Sequence, residues 1–170
     1  MTKAPPNAEG FEALWSYVLA MYQDPEVRRD CLILQDEGGH CVSLLLWAAY
    51  EALRGRDVPA QAEAAVALAQ MWEAALRPLR QARDQLKQSG EGAQMILTTQ
   101  VRQQIMSSEL AGERAMLTGL AALSGARVDP ADVDTLLGVF QHLAPMMGAD
   151  KHHPKLRALS KRLVALFAMH

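Results

Sequence analysis

Helix signals are densest in residues 14–46, LWSYVLAMYQDPEVRRDCLILQDEGGHCVSLLL. Apolar residues recur there at intervals of three and four, which is the spacing of helices with one buried face. Asp24 is a favourable N-cap and Pro25 a favourable first helical residue, because the missing N–H of proline would be unpaired at that position anyway. Gly38-Gly39 suits the left-handed turn that ends many helices. These signals predict helices over residues 8–22, 25–37 and 41–54.

The same spacing continues towards the C-terminus, and no alternating strand pattern interrupts it. An Ala-rich segment contains Pro78, so we expect its helix to kink or break near residues 74–78. Asp129-Pro130-Ala131-Asp132 repeats the earlier start signal, and Pro154 opens the last helix. These four further helices are predicted over residues 60–88, 93–123 and 130–147 and from residue 154 onward.

The fold class predicted is therefore all-α, a single-domain helical bundle of about six to seven helices with two long central helices. The chain has 170 residues, half of them hydrophobic, which suits one domain with a real core. Ser89-Gly90-Glu91-Gly92 is the clearest linker, between a front part (8–88) and a back part (93–170). Residues 1–7 are polar and contain two prolines, so we expect them to be disordered.

Two helical faces and two glycines make more specific predictions. Gly112 and Gly119 lie seven residues apart on one face of a long helix, where they would let another helix approach closely. The expected buried face of the first helix comprises Phe11, Leu14, Trp15, Val18, Leu19 and Tyr22. The expected buried face of the last helix comprises Leu156, Leu159, Leu163, Leu166 and Phe167.

Composition excludes several classes of protein. A formal net charge of −2 and a pI near 6.2 argue against a general nucleic-acid binder. No secretory segment opens the chain and no apolar run is long enough to cross a bilayer, so we expect a cytoplasmic protein without a membrane span. Cys31 and Cys41, the only cysteines, lie among apolar residues and are expected to be buried, inert thiols.

Two polar groups allow a structural and a functional interpretation. Gln35-Asp36 follows the apolar CLIL segment and either binds a ligand or, as we favour, ties the helix end to neighbouring backbone. Four basic residues recur at intervals of three and four along the helix that contains Pro78 and form a basic stripe. Two glutamates share a face of the next helix. If these helices pack antiparallel, the stripe and the glutamates meet as an ion-pair ladder; otherwise the stripe can bind a phosphate or an acidic partner. The stripe comprises Arg77, Arg80, Arg83 and Lys87, and the glutamates are Glu109 and Glu113.

Motifs for catalysis or cofactor binding are not found. The one Glu-x-x-His, Glu37 to His40, crosses a turn instead of lying on a helix face, so it does not fit a di-iron bundle. His142, His152 and His153 with Asp150 would chelate a metal only loosely. No nucleophile elbow, dinucleotide fingerprint or phosphate loop is present. We therefore predict no catalytic residue, cofactor or metal.

The last 22 residues have a charge balance opposite to the rest. Residues 149–170 carry five Lys or Arg against one acid, whereas residues 1–148 carry 12 against 18. Lys155, Lys161 and Arg162 are therefore candidates for contacting a partner, although such charges usually form only the solvated face of a helix.

A set of spaced elements over residues 12–115 resembles a proteobacterial family of conserved hypothetical proteins, catalogued as a domain of unknown function. The resemblance implies a bacterial, cytoplasmic helical protein and implies no activity. Its elements are Leu14-Trp15, Tyr22, Val27, Cys31-Leu32, Leu34-Gln35-Asp36, Gly39, Val42, Leu44-Leu45-Leu46, Pro78-Leu79-Arg80, Arg83, Leu86-Lys87, Glu109-Leu110 and Glu113-Arg114.

Two functional classes follow. The first, which we favour, is a non-enzymatic interaction or adaptor module that docks a protein partner or a second copy through an apolar groove or the last helix. The second is an enzyme or small-molecule-binding protein with a polar pocket inside the bundle. The polar lining of that pocket would be Gln35, Asp36, Arg80, Arg83, Glu109 and Glu113.

Overall fold

The fold is seen in a computed structural model that describes residues 8–87 and 93–169. This part of the chain contains seven α-helices and no strand, which confirms the all-α prediction. The linker at 89–92 and the N-terminal residues 1–7 lie outside the described residues. The helices are α1 (Ala8–Gln23), α2 (Pro25–Asp36), α3 (Val42–Leu53), α4 (Ala62–Lys87), α5 (Ala93–Ala121), α6 (Val133–Met146) and α7 (Pro154–Phe167), with a short 3₁₀ turn at Pro59–Gln61 before α4.

Helix α3 lies at the centre of the core. Trp47 is 1% exposed, and the apolar residues around it in α3 are buried on every side of the helix. Such an all-round apolar helix must be enclosed by others, and α1, α2, α4, α5, α6 and α7 all pack against it.

The predicted helix boundaries near α2 hold. The Asp24 carboxylate accepts hydrogen bonds from the N–H groups of Glu26 and Val27, both at 3.0 Å, so it caps α2 as expected. Gly39 has a φ of +71° and supplies the left-handed turn between α2 and α3. The loop is held by the buried His40, whose Nε2 lies 2.9 Å from the Asp150 carbonyl oxygen and donates to it.

Helix α4 runs without a break through Pro78, so of the two outcomes expected there, a kink or a break, the break is wrong. α4 and α5, with 26 and 29 residues, are the two long helices that were predicted. They pack closely at Gly112 and Gly119, as expected: a Cβ at either glycine would lie 2.6 Å from a leucine methyl of α4.

The start of α6 differs from its prediction. The helix begins at Val133, and Asp132 is its cap, accepting from the Thr135 N–H at 2.8 Å. Asp129-Pro130 stays outside the helix because this segment pairs with the end of α3. The Val128 N–H donates to the Gly55 carbonyl at 3.0 Å, and the Ala131 N–H to the Ala52 carbonyl at 2.9 Å. These long-range bonds outweigh the local start signal.

The far ends of α4 and α5 form a two-helix arm, which we define as residues 77–87 and 95–108. None of these residues is buried. The last buried residue of α4 is Leu76, and over residues 95–121 of α5 the first buried residue is Glu109. Several large apolar side chains of the arm are therefore exposed, and these are Met95, Ile96, Leu97, Val101 and Met106.

Candidate functional site

A cleft lies between α1, α2 and the middle of α5, and residues of α3 and α4 also line it. Its volume is about 370 Å³. The apolar lining comprises Trp15, Val18, Leu19, Leu32, Val42, Leu46, Met106, Leu110 and Leu117. The polar lining comprises Tyr22, Gln35, Ser43, Arg80, Arg83, Glu109 and Glu113. Five of the six residues predicted as a polar cluster thus meet at one place.

The floor of the cleft is an ion-pair ladder between α4 and α5. Arg80 donates to both oxygens of Glu73, at 2.9 and 3.1 Å, and its guanidinium lies 3.6 Å from Glu113. Arg83 donates to both oxygens of Glu109, at 3.1 and 3.0 Å. The predicted meeting of the basic stripe with Glu109 and Glu113 is confirmed for these two arginines.

Arg77 and Lys87, the other two members of the stripe, are exposed. Neither makes an ion pair with a residue in the described part of the chain. They are the two ends of the stripe, so only its two middle members, Arg80 and Arg83, pair with the glutamates of α4 and α5.

Glu73 is a member of the ladder that the sequence interpretation missed. Its side chain is only 9% exposed, and it forms the most complete pairing with Arg80. The signal was present in the sequence, because residues seven apart lie on one face of a helix. Glu73 and Arg80 have this spacing within α4.

Burial and charge shift the pKa values of the ladder. Burial alone would lower the pKa of Arg80, but its hydrogen bonds and charge pairing with Glu73 raise it above its ordinary value. Burial raises the pKa of Glu113, and the charges of Glu109 and Glu73 add to this, whereas Arg80 lowers it. Glu113 is the least completely paired carboxylate of the ladder, and its side chain is 37% exposed.

Asp36 does not join the cleft. It is exposed and lies in a second, more polar depression on the other side of Gln35 and Arg80, beside Arg77 and His40. The prediction that Gln35-Asp36 ties down the end of α2 is wrong, since neither side chain bonds to backbone among the residues described here. The carbonyl of Leu34 at that end instead receives the N–H groups of Gly38 and His40.

The rim of the cleft is formed by apolar side chains that remain half in water. Leu19, Leu32, Met106 and Leu110 are 47–49% exposed and come from three different helices. The predicted burial of Leu19 is wrong, because periodicity gives the direction of an apolar stripe and not whether a neighbouring helix covers it. Leu110, four residues after Met106 on α5, extends the same edge.

The candidate partner contacts on α7 have a different environment. Lys155 lies 3.0 Å from Asp30, and Arg162 Nε lies 3.0 Å from Asp24, so both tie α7 to α2. Lys161 is exposed and has no such pair in the described part of the chain. The buried face of α7 is confirmed at Leu156, Leu159 and Leu163, and Leu166 and Phe167 pack against the core while remaining partly exposed.

The cysteines are buried, as predicted, and burial raises the pKa of each thiol to about 12. Neither is a thiolate nucleophile at neutral pH.

Within residues 8–87 and 93–169, no group of three His, Cys, Asp or Glu side chains is arranged to hold a metal ion. None of the helices seen there is both long enough and apolar enough to traverse a bilayer.

The cleft falls within a segment that matches a known protein family. The family is described as a protein of unknown function, DUF2390, and it matches residues 13–120. The chain belongs to this family. The resemblance found in residues 12–115 is therefore confirmed. No curated protein and no solved structure matches the chain.

The DUF2390 segment contains every residue that lines the cleft, from Trp15 to Leu117. Helices α6 and α7 lie outside it. The cleft is thus a feature of the DUF2390 part of the chain, whereas Lys155, Lys161 and Arg162 belong to the segment that follows.

Proposed function

We propose that this DUF2390 protein is a non-enzymatic interaction module that docks an apolar segment of a partner protein in the cleft. The observation that carries the proposal is the rim of four half-exposed apolar side chains, from α1, α2 and α5. Contiguous apolar surface bordered by polar groups marks interaction sites, because leaving it in water is unfavourable. Under this proposal, the opening between these helices is the groove in which such a segment binds.

The ladder beneath the rim supports an interaction role more than a catalytic one. Its arginines are paired with carboxylates, so most of its hydrogen-bonding capacity is already used within the protein. Paired buried charges of this kind hold helices in register and shape the floor of a groove. We place the protein in the bacterial cytoplasm, where the free thiols of Cys31 and Cys41 would stay reduced.

The second candidate is an enzyme or carrier that binds a small molecule in the same cleft. The observation that favours it is Glu113, whose raised pKa and position in a cleft are typical of general acids and bases. Under this alternative, a small molecule and not a protein would be retained by the purified chain, and Glu113→Gln would abolish its turnover.

The test is a pull-down from the source bacterium with matched surface variants. Met106→Asp places a charge on the rim, and Met71→Asp places the same charge on α4, away from the cleft, where Met71 is 58% exposed. Mass spectrometry would identify both proteins and small molecules retained by each variant. We expect a protein that the wild type and Met71→Asp retain and that Met106→Asp loses.

The proposal is overturned if the same proteins are retained by all three chains, or if the specific ligand is a small molecule. Light scattering on the purified chain covers the case of a second copy. A dimer that Met106→Asp dissociates and Met71→Asp preserves would identify the docked segment as part of this same chain.

A further inference from the structure

The ladder has more carboxylates than guanidiniums. Arg80 and Arg83 face Glu73, Glu109 and Glu113, and the exposed Asp84 beside Arg83 adds to the negative side. Both oxygens of Glu73 and of Glu109 receive an arginine N–H. Among the residues that the structure describes, the one cation that approaches Glu113 is Arg80, at the longer distance of 3.6 Å. The floor of the cleft thus has one carboxylate whose hydrogen-bonding capacity is largely unused.

The surroundings of Glu113 in the cleft favour a particular kind of ligand. The carboxylate lies on the same face of α5 as Met106 and Leu110, at spacings of seven and three, and all three line the cleft. Gln35 and Ser43, also in the lining, can accept further N–H bonds through their side-chain oxygens. A lysine or arginine side chain suits such a place, because its methylene stem packs on apolar surface while its charged end reaches a carboxylate.

Arg114 is the nearest exposed cation on the same helix, and it does not fill this role. Its guanidinium lies over the rings of Trp15 and Phe11, 4.9 and 5.6 Å from their centroids. Arg114 is not among the residues that line the cleft. Among the described residues it forms no ion pair with Glu113, whose closest cation is Arg80.

We propose that the segment docked in the cleft carries a lysine or arginine flanked by apolar residues, and that Glu113 is the acceptor for this cation. The inference rests on the proposed function and gives the chemistry of the partner. Apolar contacts with the rim would supply most of the affinity, and the ion pair with Glu113 would select among apolar segments and fix their register.

The test is a selection of random 12-residue peptides displayed on phage against the full chain. Selections would be run in parallel on the wild type, Glu113→Gln and the control Glu63→Gln, an exposed glutamate of α4 that does not line the cleft. We expect wild type and Glu63→Gln to enrich peptides with Lys or Arg between Leu, Ile or Met residues. Glu113→Gln should lose the enrichment in Lys and Arg and keep that in apolar residues.

A synthetic peptide from the wild-type selection then gives the size of the effect. We expect Glu113→Gln to weaken its binding about five- to tenfold, the loss expected for a partly desolvated ion pair. Replacing the peptide's cation with norleucine should weaken binding to the wild type by a similar factor. It should leave binding to Glu113→Gln almost unchanged, as required if the two groups contact each other.

The proposal is overturned by selected peptides without a cation, by selected peptides rich in Asp or Glu, by the same preference in Glu113→Gln, or by the absence of any selected peptide. Its failure is distinguishable from failure of the interaction role. If Met106→Asp loses a protein partner whose binding is insensitive to Glu113→Gln, the docking function stands and only the cation is wrong.

Discussion

The cleft and the contact between α7 and α2 both contain acidic and basic pairs, but the pairs have different surroundings. At α7, Lys155 and Arg162 are 32% and 42% exposed and reach the carboxylates of Asp30 in α2 and of its cap Asp24. The opposite face of α7 is buried through its leucines. In the cleft, the pairs lie beneath an apolar rim that nothing in the described residues covers. The same kind of interaction therefore fastens a helix in one region and forms the floor of a groove in the other.

The surface that a partner would use under our proposal lies in the DUF2390 segment. Charge alone favoured the segment that contains the last helix, because five of residues 149–170 are basic. Two of the three candidates there are already paired within the molecule. The cleft has exposed apolar side chains and a carboxylate that can accept further hydrogen bonds, and a partner can contact both.

The largest expected effect comes from Glu73→Ala, which removes the main partner of Arg80. Both side chains are at least 86% buried, so an arginine would be left with only the longer contact to Glu113. Breaking a buried pair from one side costs about 3 kcal/mol in the free energy of unfolding. Urea denaturation checks this, with the exposed Glu63→Ala as the control, which we expect to change stability by less than about 0.5 kcal/mol.

A smaller effect is expected from Asp30→Asn at the contact between α7 and α2. The carboxylate is buried, but Lys155 is about one-third exposed and can return its charge to water when the pair is lost. We expect a loss of about 1 to 1.5 kcal/mol, measured in the same urea series beside the exposed Asp129→Asn. A loss as large as that of Glu73→Ala would contradict the distinction drawn between the two regions.

Asp24→Ala should show a still smaller effect that depends on pH. The hydrogen bond from Arg162 and those from the N–H groups of α2 hold the pKa of Asp24 below its ordinary value. The ionised carboxylate therefore stabilises the folded state above the unfolded pKa, and this stabilisation disappears as the pH falls through the lower, folded pKa.

We accordingly expect Asp24→Ala to lose about 1 kcal/mol at neutral pH, as for other N-caps. The gap between the wild type and the variant should shrink below about pH 4. Unfolding curves at several pH values would measure it. A gap that widens in acid would show that the capping carboxylate is not stabilised by these contacts.

The smallest expected effect is a change in the rate at which the two cysteines are chemically labelled. Each thiol is native, so its labelling rate measures local opening of one region without a further substitution. Cys41 directly precedes Val42, which lines the cleft, and its Sγ lies 3.7 Å from the Met116 sulfur, whereas Cys31 follows Asp30 in α2. We expect neither thiol to react with a disulfide reagent in the native chain at about pH 8, because each is buried with a pKa of about 12.

Labelling should become faster at Cys41 in Glu73→Ala and at Cys31 in Asp30→Asn. Mass spectrometry of labelled peptides gives the rate at each cysteine. Equal acceleration at both sites in either variant would mean that the two regions open together.

The sequence contained the helices and much of the ladder, because both depend on spacing along one helix or on local caps. The spacing of these residues and an antiparallel arrangement of the two helices were enough to predict ion pairs between the arginines Arg80 and Arg83 and the glutamates Glu109 and Glu113. Glu73 has the same kind of signal, seven residues before Arg80, but a lone glutamate in an Ala-rich helix does not stand out.

Other features depend on contacts between distant residues and could not be predicted. The start of α6 is set by bonds from Val128 and Ala131 to the end of α3. The exposure of Leu19 depends on where α2 and α5 leave a gap. Pro78 was expected to kink or break α4. The helix continues without a break and packs along α5, so tertiary packing outweighs the cost of the lost hydrogen bond.

The most direct test of the docking surface is hydrogen–deuterium exchange of the full chain with and without the partner captured by the wild type. We predict slower exchange on binding over residues 15–22, 32–35 and 106–117, which line the cleft, and no change over 155–162. Slower exchange over residues 155–162 with unchanged exchange in the cleft would contradict the account. It would indicate that the partner binds the basic face of α7 instead.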